Sequence, residues 1–348
     1  MSQGVTDDQV PAGQDPVLAV EDLSVCFEAG RQLKALSQVS VTVGRAEIVG
    51  VVGESGCGKS LTALSVMGLL PHNATVTGGR VVLEGVDLGS LNGRQRRDLR
   101  GRRMSMVFQE PMVALNPLMR AGRQVTEVLS VHSLLSRPAR KERTLALFRE
   151  VGLADPEARY RQYPHQLSGG MRQRVMIAMA LAAEPSLLIA DEPTTALDPT
   201  VQSQILQIFL DIRDRLGTSV LLVTHDMGVI AEVADRVTVM YAGRVVESAP
   251  VSEIFHRPAH PYTAGLLASI PARNADRGRA EDLPTIPGRV PALGEITAGC
   301  PFAPRCERAQ TRCLQEEPGL LAAGPAHLAA CWYPLEQDRL PAPARSET

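Results

Sequence analysis

From Val17 to about Val51 apolar and polar residues alternate, as in VLAVEDLSVCF and SQVSVTV. Successive side chains of a strand point to opposite faces, so this period of two predicts antiparallel strands with one covered face. AEIVGVVG (46–53) runs apolar almost without a break, which predicts a buried strand ending in a glycine-rich turn. A helix is expected from Lys59 to Leu70. Across 118–183 the period lengthens, and VTEVLSVHSLL and TLALFREVGL repeat apolar residues at helical spacing, so this region is expected to be mainly helical. Beyond it, strands (SLLIADE, TSVLLVTHD, RVTVMYA) alternate with helices (VQSQILQIFLDIRDRL, MGVIAEVA). Such alternation predicts a parallel sheet with helices on its faces, and so an α/β fold.

The pattern fades after Glu247. Fourteen of the 25 prolines lie from Pro250 onward, which places a boundary near 250. The expected organisation is a main domain at 17–250 and a small loop-rich appendage at 251–334. Polar tails, 1–16 and 335–348, are expected to be disordered. No internal repeat is evident.

Composition narrows the function classes. Apolar content of 44% and charged content of 21% are those of a folded soluble protein. The formal net charge is −2, so there is no global basic footprint for nucleic acid. The run Arg94, Arg96, Arg97, Arg100, Arg102, Arg103, interrupted by Asp98, reads as a solvated face beside a strand. No stretch approaches the roughly 20 apolar residues that span a bilayer. The start, MSQGVTDDQVPAGQDP, lacks the features of a signal peptide. A cytosolic protein is expected, reaching a membrane only through partners. In a reducing compartment its six cysteines are not expected to pair as disulfides, and a cluster of four of them reads as metal-binding before it reads as a staple.

The chemistry begins at Gly53-Glu-Ser-Gly-Cys-Gly58-Lys59-Ser60, a match to GxxxxGK[ST] between a strand and a helix. In such a loop backbone N–H groups turn inward around phosphates, and the helix N-terminus favours the anion. Ser55, Gly56, Cys57, Gly58, Lys59, Ser60 and Leu61 are the expected ATP-binding residues. Lys59 would reach the β/γ-phosphates and Ser60 would ligate Mg²⁺. Cys57 reads as a small loop residue rather than a redox group. Leu187-Leu-Ile-Ala-Asp191-Glu192 is an apolar strand ending in two carboxylates. Asp191 suits Mg²⁺ binding, and Glu192 is placed to polarise the attacking water. Together these motifs define a P-loop NTPase.

Leu167-Ser168-Gly169-Gly170-Met-Arg-Gln173 resembles the signature sequence of the ATP-binding cassette (ABC) ATPases. Gln109 in VFQEP resembles the Q-loop glutamine. Ala196-Leu-Asp198 resembles the D-loop, and His225 in VTHD the switch histidine. Phe27 resembles the aromatic that stacks on adenine. The resemblance covers about 17–250. It implies a RecA-like core, an antiparallel β subdomain and a helical signature subdomain. It also implies two cassettes sandwiching two ATP molecules head to tail. Ser168, Gly169, Gly170 and Gln173 of one cassette would then serve ATP held by the other. Glu192 and His225 would be catalytic, and Mg²⁺ would be held through Ser60, Gln109 and Asp191.

Within that family GESGCGKS, FQEPMVALNP, Tyr163-Pro-His-Gln-Leu-Ser, His260-Pro261-Tyr262-Thr263, Ser269-Ile-Pro271, IPGRVP and GCPFAPRC resemble the oligopeptide/dipeptide importers. This implies an ATPase subunit at the cytoplasmic face of the membrane. Its partners would be a second related ATPase, two transmembrane permease subunits and an extracytoplasmic peptide-binding protein. The helical segment after Gln109 would dock the permease. Cys300, Cys306, Cys313 and Cys331 are spaced C-x5-C, C-x6-C and C-x17-C. Four thiolates suit zinc or an iron–sulfur cluster, and spacing alone leaves the choice open. The resemblance implies a [4Fe–4S] cluster, with Zn²⁺ the lesser alternative, in a metal-binding appendage of structural role. ATP binding at Lys59 is expected to survive loss of any one of these cysteines.

Overall fold

The computed structural model describes residues 15–28, 32–270, 285–295 and 298–335. The expected tails lie almost wholly outside these residues, as does Pro271. In chain order the strands are β1 (Leu18–Glu28), β2 (Gln32–Val43), β3 (Ile48–Val52), β4 (Ala74–Leu83), β5 (Val86–Asp87), β6 (Met104–Val107), β7 (Leu187–Asp191), β8 (Ser219–Thr224), β9 (Arg236–Tyr241), β10 (Arg244–Pro250), β11 (Leu321–Gly324) and β12 (His327–Ala329).

They form two sheets. The first is antiparallel, in the order β2-β1-β4-β5. The second runs β11-β12-β10-β9-β3-β8-β7-β6, and β9, β3, β8, β7 and β6 are mutually parallel. Every residue of β3, β6, β7 and β8 is buried. A parallel strand covered on both faces has no solvent side, which is why these runs lack alternation. One apolar core joins the parallel sheet to the helices beyond it, and the second lies between the two sheets.

The helix expected to reach Leu70 spans Lys59–Met67. Gly68 stops it in the left-handed conformation (φ 61°), and its N–H bonds back to Leu64 and Ser65. Arg100 then donates to the carbonyls of Met67 (2.8 Å) and Gly68 (2.7 Å), satisfying acceptors the helix leaves open. The rest of the basic run lies on and after the helix Gly93–Leu99, which buries none of its residues and is closed by an Asn92/Gln95 capping box. The 118–183 region holds the helices Ala121–His132, Arg137–Glu150, Pro156–Arg161 and Gly169–Leu181. No helix among the described residues is long and apolar enough to cross a membrane.

Beyond Pro250 the helices Val251–His256 and Pro261–Ala268 lead to the cysteine-bearing segment and the β11–β12 hairpin. This hairpin joins the main sheet, pairing Glu247 with Ala329 and Ser248 with Leu328. Glu247 is fully buried there. Its carboxylate accepts from the N–H groups of Ala259 (2.6 Å) and His260 (3.0 Å) and faces His327 Nε2 at 2.7 Å. A buried carboxylate without such donors would be strongly destabilising.

Candidate active site

The carboxyl ends of adjacent parallel strands are where an open α/β sheet presents its chemistry. Here β3 runs into the loop 53–58, β7 ends at Asp191, Gln109 follows β6, and His225 follows β8. Four separate motifs therefore meet at one edge. Gly53 must be glycine, because a Cβ there would sit 2.2 Å from the Met240 carbonyl oxygen. Gly58 caps the following helix at φ 104°, a conformation other residues rarely take.

Lys59 is buried and folds back on its own loop, donating to the carbonyls of Gly53 (2.7 Å) and Glu54 (3.0 Å). Ser55 and Gly56 are exposed at the mouth. Cys57 is buried, and that burial pushes its thiol pKa up against the opposing pull of Lys59. A neutral, enclosed thiol suits the small-residue reading. Ser60 donates to Asp191 Oδ1 at 2.9 Å, and burial holds the Asp191 carboxyl above its ordinary range. Leu61 is half-buried in the first turn of the helix, and Phe27 is half-buried on β1, paired with Leu33 and Ala74.

Glu192 gathers the rest. Its Oε2 accepts from Gln109 Nε2 (3.1 Å) and from Thr195 Oγ1 (2.9 Å), and its Oε1 lies 3.3 Å from His225 Nδ1. The side chain is largely enclosed (14% exposed), whereas His225 is open (55%). The backbone at Glu192 has φ 47°, held by its N–H to the Val223 carbonyl at 2.8 Å. Such strain at a non-glycine residue marks a position whose geometry is fixed by its surroundings. Thr195 was not among the sequence candidates. Only its place in EPTTALD, three residues after the carboxylate, could have flagged it.

The signature residues form a second group. Ser168 caps the helix Gly169–Leu181, accepting from Met171 N–H at 3.3 Å, and Asp198 caps Pro199–Leu216, accepting from Val201 N–H at 3.0 Å. These caps adjoin. A Cβ on Gly170 would lie 2.7 Å from Val201 Cγ1, and one on Gly169 would lie 3.9 Å from Leu197. Ser168, Gly169 and Asp198 are thus presented together. Gln173 is less accessible: it is 2% exposed, and its Nε2 has no hydrogen-bond partner among the described residues.

Matches to known proteins agree with this geometry. The family model "ABC transporter" matches residues 36–195, and "Oligopeptide/dipeptide transporter, C-terminal region" matches 246–313. The probable peptide ABC transporter ATP-binding protein y4tR of Sinorhizobium fredii is 51% identical over 91% of this chain and 95% of its own. The dipeptide transport ATP-binding protein DppD of Bacillus subtilis is 47% identical over the same shares. This chain belongs to the ATP-binding subunits of the oligopeptide/dipeptide ABC transporters. As an ABC ATPase it is an ATP-hydrolysing transporter subunit. Among solved structures, the ATP-binding cassette MJ0796, in a dimeric post-hydrolysis state bound to ADP and Pi, superposes with a TM-score of 0.61. It is 28% identical to this subunit and covers 67% of this chain and 98% of its own.

The metal-binding character expected of the appendage is not shown. Among the described residues no three His, Cys, Asp or Glu side chains are placed to hold a metal ion. The four thiols instead line a single pocket, with Phe302 and Trp332 among its walls. All are free. Burial pushes the thiols of Cys300 and Cys306 up, and that of Cys331 up to about 11, with the other cysteines adding to the effect. This lobe also touches the nucleotide site. Tyr262 and Arg305, both beyond Pro250, bond Glu54 inside the phosphate loop. No spacing rule points to such contacts, which arise only when the chain folds back.

Proposed function

We propose that this subunit drives uptake of di- or oligopeptides from the cytoplasmic face of the membrane. It would pair with a second related ATPase on two transmembrane permeases served by an extracytoplasmic peptide-binding protein. The observation that carries the reading is the convergence of Gln109, Thr195 and His225 on Glu192, beside the Ser60–Asp191 pair. Glu192 polarises the attacking water, and Gln109 and Thr195 fix its carboxylate. His225 approaches from the solvent side. Lys59 exchanges its two loop carbonyls for the β/γ-phosphates. The N–H groups of Ser55, Gly56, Gly58 and Leu61 would face the phosphate chain, joined by that of Cys57 once it leaves the Glu54 carbonyl it meets at 3.3 Å, and Phe27 would cover the adenine. Water attacks the γ-phosphorus, the bond to the bridging oxygen breaks, and ADP and phosphate leave without a covalent intermediate. The residues fit Mg²⁺, since a cation beside Ser60 and Asp191 offsets the burial that raises the Asp191 carboxyl. When bound, the ion neutralises phosphate charge. Ser168, Gly169, Gly170 and Asp198 serve the ATP of the partner subunit.

Glu192→Gln keeps the shape of the side chain and removes its basicity. We expect MgATP binding to persist while single-turnover hydrolysis falls by about 10²–10⁴-fold. Hydrolysis at the wild-type rate would refute the role of Glu192. Peptide transport is tested by uptake of a labelled dipeptide in cells carrying Lys59→Ala, where undiminished uptake would sink that reading.

Cys300, Cys306, Cys313 and Cys331 hold a [4Fe–4S] cluster in this proposal, with zinc the lesser alternative. What supports the reading is that the four thiols line one pocket. A cluster would brace a segment that has little apolar surface of its own. Chain prepared without oxygen should carry about four iron and four sulfide. Colourless protein with zinc would overturn the cluster and leave the ATPase reading intact.

A further inference from the structure

Glu54 places a carboxylate in the phosphate loop, where anionic phosphates bind. The structure shows what it is tied to. Arg305 reaches it with two parallel bonds, Nη1 to Oε2 at 2.6 Å and Nη2 to Oε1 at 3.0 Å. The Arg305 side chain is 5% exposed and that of Glu54 30%. Bidentate pairs of this kind fix direction as well as charge. The guanidinium is itself held from behind. Its Nε donates to the Pro287 carbonyl at 2.8 Å, Nη2 to the Ile286 carbonyl at 3.3 Å, and Nη1 to Tyr241 Oη at 3.4 Å. Tyr262 grips the same residue by its backbone, its hydroxyl accepting from Glu54 N–H at 2.9 Å. The Glu54 carbonyl meanwhile accepts from Lys59. One loop residue thus touches the catalytic lysine on one side and two residues from beyond Pro250 on the other. Arg305 closes the short turn Ala303–Arg305 and directly precedes Cys306.

We propose that Arg305, with Tyr262, is a positioning residue for the phosphate loop: the cysteine lobe clamps Glu54, neutralises it and so sets the affinity of the site for MgATP. The inference rests on the nucleotide role given to the loop above. Without Arg305 the loop keeps an uncompensated carboxylate beside the phosphates and loses its outer anchor. With both charges gone, the repulsion goes too. The effect of Glu54→Gln must therefore depend on whether Arg305 is present.

The test uses the full chain and a fluorescent ATP analogue with Mg²⁺, alongside hydrogen exchange across 53–60. Arg305→Ala should weaken binding about tenfold and speed exchange in the loop, with Arg305→Lys between it and the wild type. Glu54→Gln should weaken binding in the wild-type background and improve it in the Arg305→Ala background. If Arg305→Ala does not fold, Arg305→Lys alone and with Glu54→Gln gives the same comparison. Wild-type affinity and exchange in a folded Arg305 variant, or equal effects of Glu54→Gln in both backgrounds, would overturn the clamp alone. A wild-type chain that fails to bind MgATP would overturn the nucleotide reading and the clamp with it.

Discussion

At the scale of single residues, the proposed hydrolysis turns on how tightly one carboxylate is held. Glu192 sits at the tip of β7 with a strained backbone and two side-chain donors on one oxygen. Thr195 supplies one of them, and Thr195→Val removes that hydroxyl at nearly constant volume. A neutral hydrogen bond contributes about 0.5–1.5 kcal/mol net, so single-turnover hydrolysis should fall by about three- to tenfold, far less than in Glu192→Gln. An unchanged rate would show that Gln109 alone orients the carboxylate. Lys59, Ser60, Asp191, Glu192 and His225 were legible because each sits at a fixed place in a short motif. Thr195, Tyr262 and Arg305 were not, because their contacts are tertiary. Gln173 shows a further limit, since a motif position does not say how deeply its side chain is buried.

At the scale of elements, period and continuity carried most of the fold. β3, β7, β8 and β9 were readable as largely apolar runs, β6 was not, and the longer helices were readable as 3.6-residue repeats. β4, β10 and the β11–β12 hairpin were not, since glycine, charge or proline interrupts their alternation. The hairpin's place is set by the Glu247 carboxylate, which ties β10 to β12 and to the entry of the helix Pro261–Ala268. His260 at that entry is buried, and burial lowers its pKa from 6.5 to about 4, opposed by the Glu247 charge and a bond to the Ala330 backbone. The folded chain therefore holds this imidazole neutral while the unfolded chain protonates it below about 6.5. The penalty is absent above that pH and grows as the pH falls toward 4. Between pH 7.5 and 5 it should remove about 2 kcal/mol of stability. Urea unfolding at the two pH values tests this. His260→Gln should lose less on acidification than the wild type, and an equal loss would place the titrating group elsewhere.

At the scale of the whole molecule, the cysteine lobe is joined to the ATPase by more than the Glu54–Arg305 pair. The hairpin extends the main sheet, Arg244 pairs with Glu317, and an aromatic cluster packs beside the phosphate loop. Phe302 packs edge-on against Tyr241 at 5.3 Å between centroids and tilted against Tyr262 at 5.4 Å. Phe302→Ala should cost about 3–5 kcal/mol of stability. It should also weaken MgATP binding, because Tyr241 and Tyr262 both touch the Glu54–Arg305 assembly. Full ATP affinity in a folded Phe302→Ala chain would mean the lobe's packing and the loop are decoupled. The pairing of β10 with β12 bears as well on how the protein comes into being. Their registers meet across about 80 residues of chain, a long-range closure of the kind that slows folding. On a ribosome adding about 5–20 residues per second, β10 waits several seconds for its neighbour. For most of that interval the newborn chain carries its phosphate loop without Arg305, the residue proposed to steady it.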